Sequence, residues 1–300
     1  MGGCVIYDEI FLKHNLEGHP ENRNRLISVI SSLPTFNIPV EKPARVSKEL
    51  IESIHDRKYI SRVKSASLAG FEYLDPDTYV NSYSFDAAIM AAGACEEAVK
   101  LVASDKYRAV FCAVRPPGHH AEKDRAMGFC IFNNIVIAAI KALTLGFKKI
   151  FIVDFDAHHG NGTQHLIKDK ENIFYFSTHQ YPFYPGTGSE EENNNHILNI
   201  PLPSGTGDEV FVPIYERKLP QIVKTFSPDI MLVSAGFDFH RDDPLTGLNV
   251  SYSGMERIID SVFSISKSLK IPIVLTLEGG YNYDVLTKAG ESIFKHLCEI

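Results

Sequence analysis

The chain has 300 residues, 44% of them hydrophobic and 22% charged, which excludes a largely disordered protein because that much apolar surface can offset the cost of ordering the chain. Thirty basic residues against 37 acidic ones leave a net charge of −7, and a nucleic-acid partner is not expected without a basic excess. Cys4, Cys95, Cys112, Cys130 and Cys298 are odd in number and widely spaced, which argues against a disulfide scaffold, a Cys-based zinc site or a C-x-x-C redox motif. The longest uncharged stretch of note, Phe129 to Ile140, is too short to span a bilayer. The opening Met1-Gly2-Gly3-Cys4 lacks the regions of a signal peptide. A cytoplasmic protein with no membrane association is expected, built as one domain over residues 1–300, since no repeat, low-complexity tract or linker divides it.

The first sixty residues give no clear pattern of elements. Helical spacing opens at Ser84–Ala103, where Phe85, Ala88, Ile89, Ala92, Val99 and Val102 share a face. A strand follows at Tyr107–Val114, a helix at Asn133–Leu145 and strands at Lys149–Phe155 and Asn172–Ser177. Glu190 to Asn195 is a polar loop. Another strand is expected at Ile230–Ser234. Met255, Ile258, Ile259, Val262 and Phe263 then mark a helix, with Ser253 and Glu256 as its capping box. The last strand is Ile271–Leu277. The strands are short apolar runs rich in Val, Ile and Phe, as in a parallel sheet buried on both faces. Their alternation with helices predicts an α/β fold with a mostly parallel central sheet and helices on both faces.

Unusual residues fall just after these strands: Arg115–His120, Asp154–His159, Ser177–Gly188, Ala235–Asp243 and Glu278–Tyr281. Ligands of open α/β sheets bind beyond the carboxyl ends of the strands, so five segments deliver polar side chains to one rim. In Asp154-Phe155-Asp156-Ala157-His158, alternate side chains share a face. Three ionisable groups at the end of an apolar strand would be costly unless paired or metal-bound. A catalytic zinc site needs three protein ligands and an open position. Asp156 and His158 supply two, and Asp238 is the best third, with Asp242 and Asp243 competing by composition. The irregular turn of Arg115-Pro116-Pro117-Gly118 can aim His119 and His120 into the same site, where they suit general acid and base. Asp154 can fix the tautomer of one of them. Two glycines let Glu278-Gly279-Gly280-Tyr281 approach closely, and the Tyr281 hydroxyl can donate to a developing oxyanion.

His19-Pro20-Glu21 with Arg25, Arg115–His120, Gly128-Phe129-Cys130, Asp154–Gly162, Tyr184–Gly188, Ala235–Asp238 and Glu278–Asn282 occur in this order. Together they resemble the zinc-dependent histone deacetylase superfamily, which includes acetoin-utilisation proteins and acetylpolyamine amidohydrolases. The resemblance covers His19 to Tyr281. It implies an arginase-like fold and hydrolysis of an acylated amine at one zinc ion held by Asp156, His158 and Asp238. It assigns His119 and His120 to proton transfer, Tyr281 to the acyl carbonyl, and Asp154 to pairing with His119. It further implies a structural potassium ion on the Asp154 side chain, the carbonyls of Asp154, Asp156, His158 and Thr178, and the Ser177 hydroxyl.

Asn161 stands where class I members place an Asp beside the second histidine, so the chain resembles class II-like members. Gly128, Phe129 and Tyr184 would line the acyl channel. Leu245 holds the position at which the polyamine-specific class II-like branch has an acidic gatekeeper. Asp77 would accept hydrogen bonds from a substrate backbone. An N6-acyl-lysine side chain, in a peptide or a small amide, is therefore the expected substrate. The alternatives are an acetylpolyamine or other small acylated amine, and an inactive binding protein. Oligomer formation stays possible.

Overall fold

The computed structural model describes residues 2–300. Ten strands form: β1 (Gly3–Ile6), β2 (Val40–Glu41), β3 (Phe71–Tyr73), β4 (Tyr79–Asn81), β5 (Ala109–Cys112), β6 (Ile150–Asp154), β7 (Ile173–Gln180), β8 (Ile197–Leu202), β9 (Ile230–Ala235) and β10 (Ile273–Leu277). Eight of them make one sheet in the order β2-β1-β5-β10-β9-β6-β7-β8, with every pairing parallel. β1, β5, β10, β9 and β6 are buried along their whole length. Helices cover both faces, which is why these strands read as continuous apolar runs. β3 and β4 form a separate antiparallel pair.

The predicted strands are all present, with ends shifted by a few residues. Three further strands of this sheet, β8, β1 and the two-residue β2, lack the apolar signal. β8 alternates buried and half-exposed residues and carries Pro201, a composition suited only to an edge strand. β1 is four residues long and lies between β2 and β5.

The helix Ser84–Ala103 forms as expected, but fourteen of its twenty residues are buried, so it has little polar face. Its small residues let neighbours come close: a Cβ on Gly93 would sit 1.9 Å from the Ala44 carbonyl oxygen. The capping box at Ser253 and Glu256 is not found. The helix runs Tyr252–Leu269 with Ser251 as its N-cap, accepting from the Gly254 N–H. The cause is tertiary, because Asp208 accepts from both the Ser251 N–H at 2.8 Å and the Ser251 hydroxyl. Among the described residues no helix is long and apolar enough to cross a membrane. The five cysteines are unpaired, and four of them are buried.

Parallel pairing places the carboxyl ends of β5, β10, β9, β6 and β7 on one rim. Their register puts Cys112 beside Thr276, Thr276 beside Ser234, and Asp154 between Ser234 and Ser177.

Candidate active site

Beyond β6 the chain is turned by its own carboxylates. Asp154 Oδ1 accepts from the Asp156 N–H at 3.2 Å and Asp156 Oδ1 from the His158 N–H at 2.9 Å. These short-range bonds satisfy the backbone where the ladder ends. Asp238, just past β9, accepts from the Ala157 N–H at 2.7 Å. The result draws Asp156, His158 and Asp238 together, with one ligand atom of each lying within 4.8 Å of the others. His158 Nδ1 stands 3.2 Å from Asp156 Oδ1 and 2.9 Å from Asp238 Oδ2. Asp242 is exposed, and Asp243 accepts instead from the Leu245 and Tyr281 N–H groups at 2.9 and 2.7 Å, so neither joins the cluster.

Burial opposes charge on Asp156, yet His119 and His158 outweigh it and hold its carboxyl well below the usual range. Burial, with Asp156 beside it, raises Asp238 to about 6. Burial would lower His158, but Asp238 and Asp156 carry it up to about 10. Two adjacent buried carboxylates around one imidazole are a site that attracts a cation.

The turn after β5 is held from the other side of the site. Glu278 Oε2 accepts from the Gly118 and His119 N–H groups at 2.7 and 3.1 Å. His119 Nδ1 lies 3.1 Å from Asp154 Oδ2, which also accepts from the Tyr175 hydroxyl at 2.9 Å. His120 Nδ1 lies 2.8 Å from Asn161 Oδ1. The two rings are 4.0 Å apart. Their surroundings push them in opposite directions. Burial would lower His119, but Asp156 and Asp154 raise it to about 10. Burial, followed by His119 and His158, pushes His120 well below its ordinary value.

A cavity of about 220 Å³ opens over His120 and His158. Gly128, Phe129, Tyr184, Leu245, Asp77 and Tyr281 all line it, so the expected substrate-contacting residues converge. Gly128 has φ +55°, and a Cβ there would lie 2.4 Å from His120 Cδ2. Phe129 also adopts a left-handed φ of +68°, a strain of about 1–2 kcal/mol for a non-glycine residue. Its N–H is anchored on Thr78 Oγ1 at 3.0 Å. Its ring meets Tyr281 edge-on at 5.8 Å. Tyr184 meets His120 edge-on at 5.4 Å. Asp77 is half-buried, and burial together with Asp75 raises it to about 6. Of the residues expected around potassium, Asp154 pairs in register with Ser177, the Ser177 hydroxyl lies 2.9 Å from His179 Nδ1, and the Thr178 hydroxyl is engaged with Tyr215 at 2.5 Å.

Further side chains support the site, and one of them, Phe183, has no sequence signal of its own. Phe183 stacks on His158 at 5.4 Å and lines the cavity. Neighbouring Tyr181 and Tyr184 have the same aromatic character, so only the fold selects among them. Arg25 bonds the Gly280 carbonyl at 2.6 Å and the Glu278 carbonyl, and its guanidinium lies 4.8 Å from the Tyr281 ring centre. Glu21 joins Arg25 to Arg115 by contacts of 2.9 and 2.6 Å. His119, Cys130 and Glu278 also cluster. Burial keeps that thiol protonated, and the Glu278 oxygens are taken by Gly118, His119 and Ser234, so the chemistry of a metal site is lacking there.

A family model described as the histone deacetylase domain matches residues 19–297. Histone deacetylase 15 of Arabidopsis thaliana is 33% identical over 98% of this chain, and the chain spans 56% of that protein's length. A probable deacetylase of Archaeoglobus fulgidus is 35% identical, with 93% of this chain and 81% of that protein aligned. The crystal structure of the HDA15 HD domain superposes with a TM-score of 0.91 at 34% identity, covering 98% of this chain and 90% of that one. The expected arginase-like deacetylase fold is therefore present, and the chain belongs to the histone deacetylase family of amidohydrolases.

Proposed function

We propose that the protein hydrolyses N6-acyl-lysine side chains, in peptides or small amides, at a single zinc centre. The observation that carries the substrate class is the cavity mouth, where Leu245 presents an apolar side chain beside Phe129 and Tyr184. Such a wall suits a neutral methylene chain, because a charged ammonium entering it would lose hydration without compensation.

The metal reading rests on donor chemistry. Tetrahedral zinc with nitrogen and oxygen ligands at about 2.0–2.2 Å would set those ligand atoms about 3.3–3.6 Å apart. His158 Nδ1 already lies 3.2 and 2.9 Å from its two carboxylate neighbours. Asp156, His158 and Asp238 would hold the ion, which when bound supplies Lewis acidity and lowers the pKa of water. A potassium ion would sit among the oxygens of Asp154, Asp156, His158, Ser177 and Thr178.

The chain's own groups divide the remaining work. His120, neutral and held through Nδ1 by Asn161, offers Nε2 to the proton of the attacking water. His119, cationic against Asp154, carries a proton that the departing amine needs. The Tyr281 hydroxyl donates to the acyl oxygen as it gains charge. Phe129, Tyr184 and Gly128 confine the acyl-bearing chain and exclude solvent.

Asp77 supports a second reading, because a carboxylate at the mouth could receive the ammonium of an acetylpolyamine. The two readings part on kcat/KM. Acyl-lysine amides are expected to exceed N-acetylputrescine and N8-acetylspermidine, and Leu245→Glu is expected to narrow the gap. A tenfold preference of the wild type for acetylpolyamines, about 1.4 kcal/mol of transition-state discrimination, would replace the first reading with the second.

A further inference from the structure

His120 makes its Nδ1 contact to an amide, and an amide has two faces. With Oδ1 turned to the imidazole, Asn161 accepts, and Nδ1 must carry the proton. With Nδ2 turned to it, Asn161 donates, and the proton moves to Nε2. Only the first arrangement leaves Nε2 with a lone pair to act as base. Nothing in the His120–Asn161 pair chooses between them.

Glu122 chooses. Its carboxylate is nearly buried, and Oε1 lies 2.6 Å from Asn161 Nδ2. That carboxylate oxygen accepts, so the amide nitrogen faces it. The other contacts on that side are the His120 carbonyl at 3.4 Å and Met127 Sδ at 3.5 Å, and both are acceptors. Oδ1 is thereby left 2.8 Å from His120 Nδ1. Glu122 is itself fixed. His165 Nδ1 reaches the same carboxylate oxygen at 2.8 Å, the Glu122 N–H donates to the Arg125 carbonyl at 3.0 Å, and its own carbonyl lies 2.8 Å from His55 Nδ1. The carboxylate stands one hydrogen-bonded amide away from the imidazole.

We propose that Glu122 is a positioning residue of the hydrolytic site: it locks the Asn161 amide and, through it, the Nδ1–H tautomer of His120. The inference rests on His120 being the base.

The substitution Glu122→Gln keeps the shape but lets the facing amides reverse together. It is expected to lower kcat by roughly 10–100-fold with little change in KM or Tm. Asn161→Asp alone sets two carboxylates against each other and should also lose activity. The double variant Glu122→Gln/Asn161→Asp restores a one-way chain, in which the new amide donates to the new carboxylate and that carboxylate accepts from His120 Nδ1. It should recover kcat to within about threefold of wild type. A purely structural contact would restore Tm in the double variant and leave kcat unchanged throughout. The 15N shifts of labelled histidines give a readout that needs neither turnover nor a folded variant, and wild-type His120 should show a protonated Nδ1 and a bare Nε2. A bare Nδ1, an active Glu122→Gln, or a double variant no better than the singles overturns the proposal. A wild type inactive on every acylated amine would instead sink the functional reading, and the 15N pattern would still decide the tautomer.

Discussion

Gly279 lies where β10 leaves the sheet, and its missing side chain makes room for the Asp156 and Asp238 carboxylates, proposed above to hold the metal. Its N–H donates to Asp156 Oδ2 at 2.7 Å. A Cβ built on it would lie 2.5 Å from both Asp156 Oδ2 and Asp238 Oδ2, whereas carbons are essentially never found closer than 3.0 Å to such atoms. In Gly279→Ala each carboxylate must therefore retreat by about 0.5 Å, which is the full positional tolerance of a functional constellation. Metal–ligand distances tolerate only about 0.2 Å, so zinc should bind roughly 10–100-fold more weakly. The backbone at Gly279 lies outside the left-handed region, so alanine brings no φ strain and the loss reports on the carboxylates. Zinc affinity can be read by competition with a chromophoric chelator, with activity followed as zinc is raised. Asp238→Ala, which removes a ligand outright, sets the lower limit. An unchanged zinc affinity and unchanged activity in Gly279→Ala would show that these two carboxylates do not hold the ion.

Tyr281→Phe removes only a hydroxyl, and kcat should fall by roughly 10²–10³ with zinc retained if that hydroxyl stabilises the oxyanion; activity within a few-fold of wild type would assign the role to another donor. His55 is buried between the Asn133 N–H and the Glu122 carbonyl, and burial lowers it to about 4. The unfolded chain takes up a proton near pH 6.5 that the folded one refuses, so this stabilisation is complete above about 6.5 and fades as pH falls toward 4, by up to about 3 kcal/mol. Denaturation midpoints should drop across that window and drop less in His55→Gln; a flat wild-type profile would contradict the assignment.

The rim is legible in the sequence because chemistry and periodicity coincide there. β6 is apolar up to Asp154, its last residue, and the acids and imidazoles from there on cannot serve a core. The same reasoning finds β5, β9 and β10. It fails on β8, where Asn199 and Pro201 break the apolar run, and on β1, whose four residues lie in a sheet only because β5 and β2 flank them. The start of the Tyr252–Leu269 helix escapes a local reading because Asp208, far off in sequence, fixes Ser251. Among site residues carried by a motif, His120, Gly128, Phe129, His158, Tyr184 and Tyr281 line the cavity. Phe183, Asp243 and Glu122 are not legible, since their roles depend on partners brought together by the fold. Asp243 has the composition of a ligand, yet it bonds the backbone of Tyr281 and Leu245.

The three residues proposed to hold the metal straddle a single strand junction. Asp156 and His158 follow β6, Asp238 follows β9, and these strands are direct neighbours in the sheet. The tandem histidines follow β5, and Tyr281 follows β10, further along toward the β1 edge. The groups proposed to hold the ion and those proposed to act on substrate thus follow neighbouring strands, joined where the Gly279 N–H meets Asp156. Fraying that begins at β2 and β1 reaches the histidines and Tyr281 before it reaches the trio. Under mild denaturation the expected order is loss of activity first and release of zinc later, and coincident losses in a stepwise urea titration would mean that the sheet comes apart as one unit.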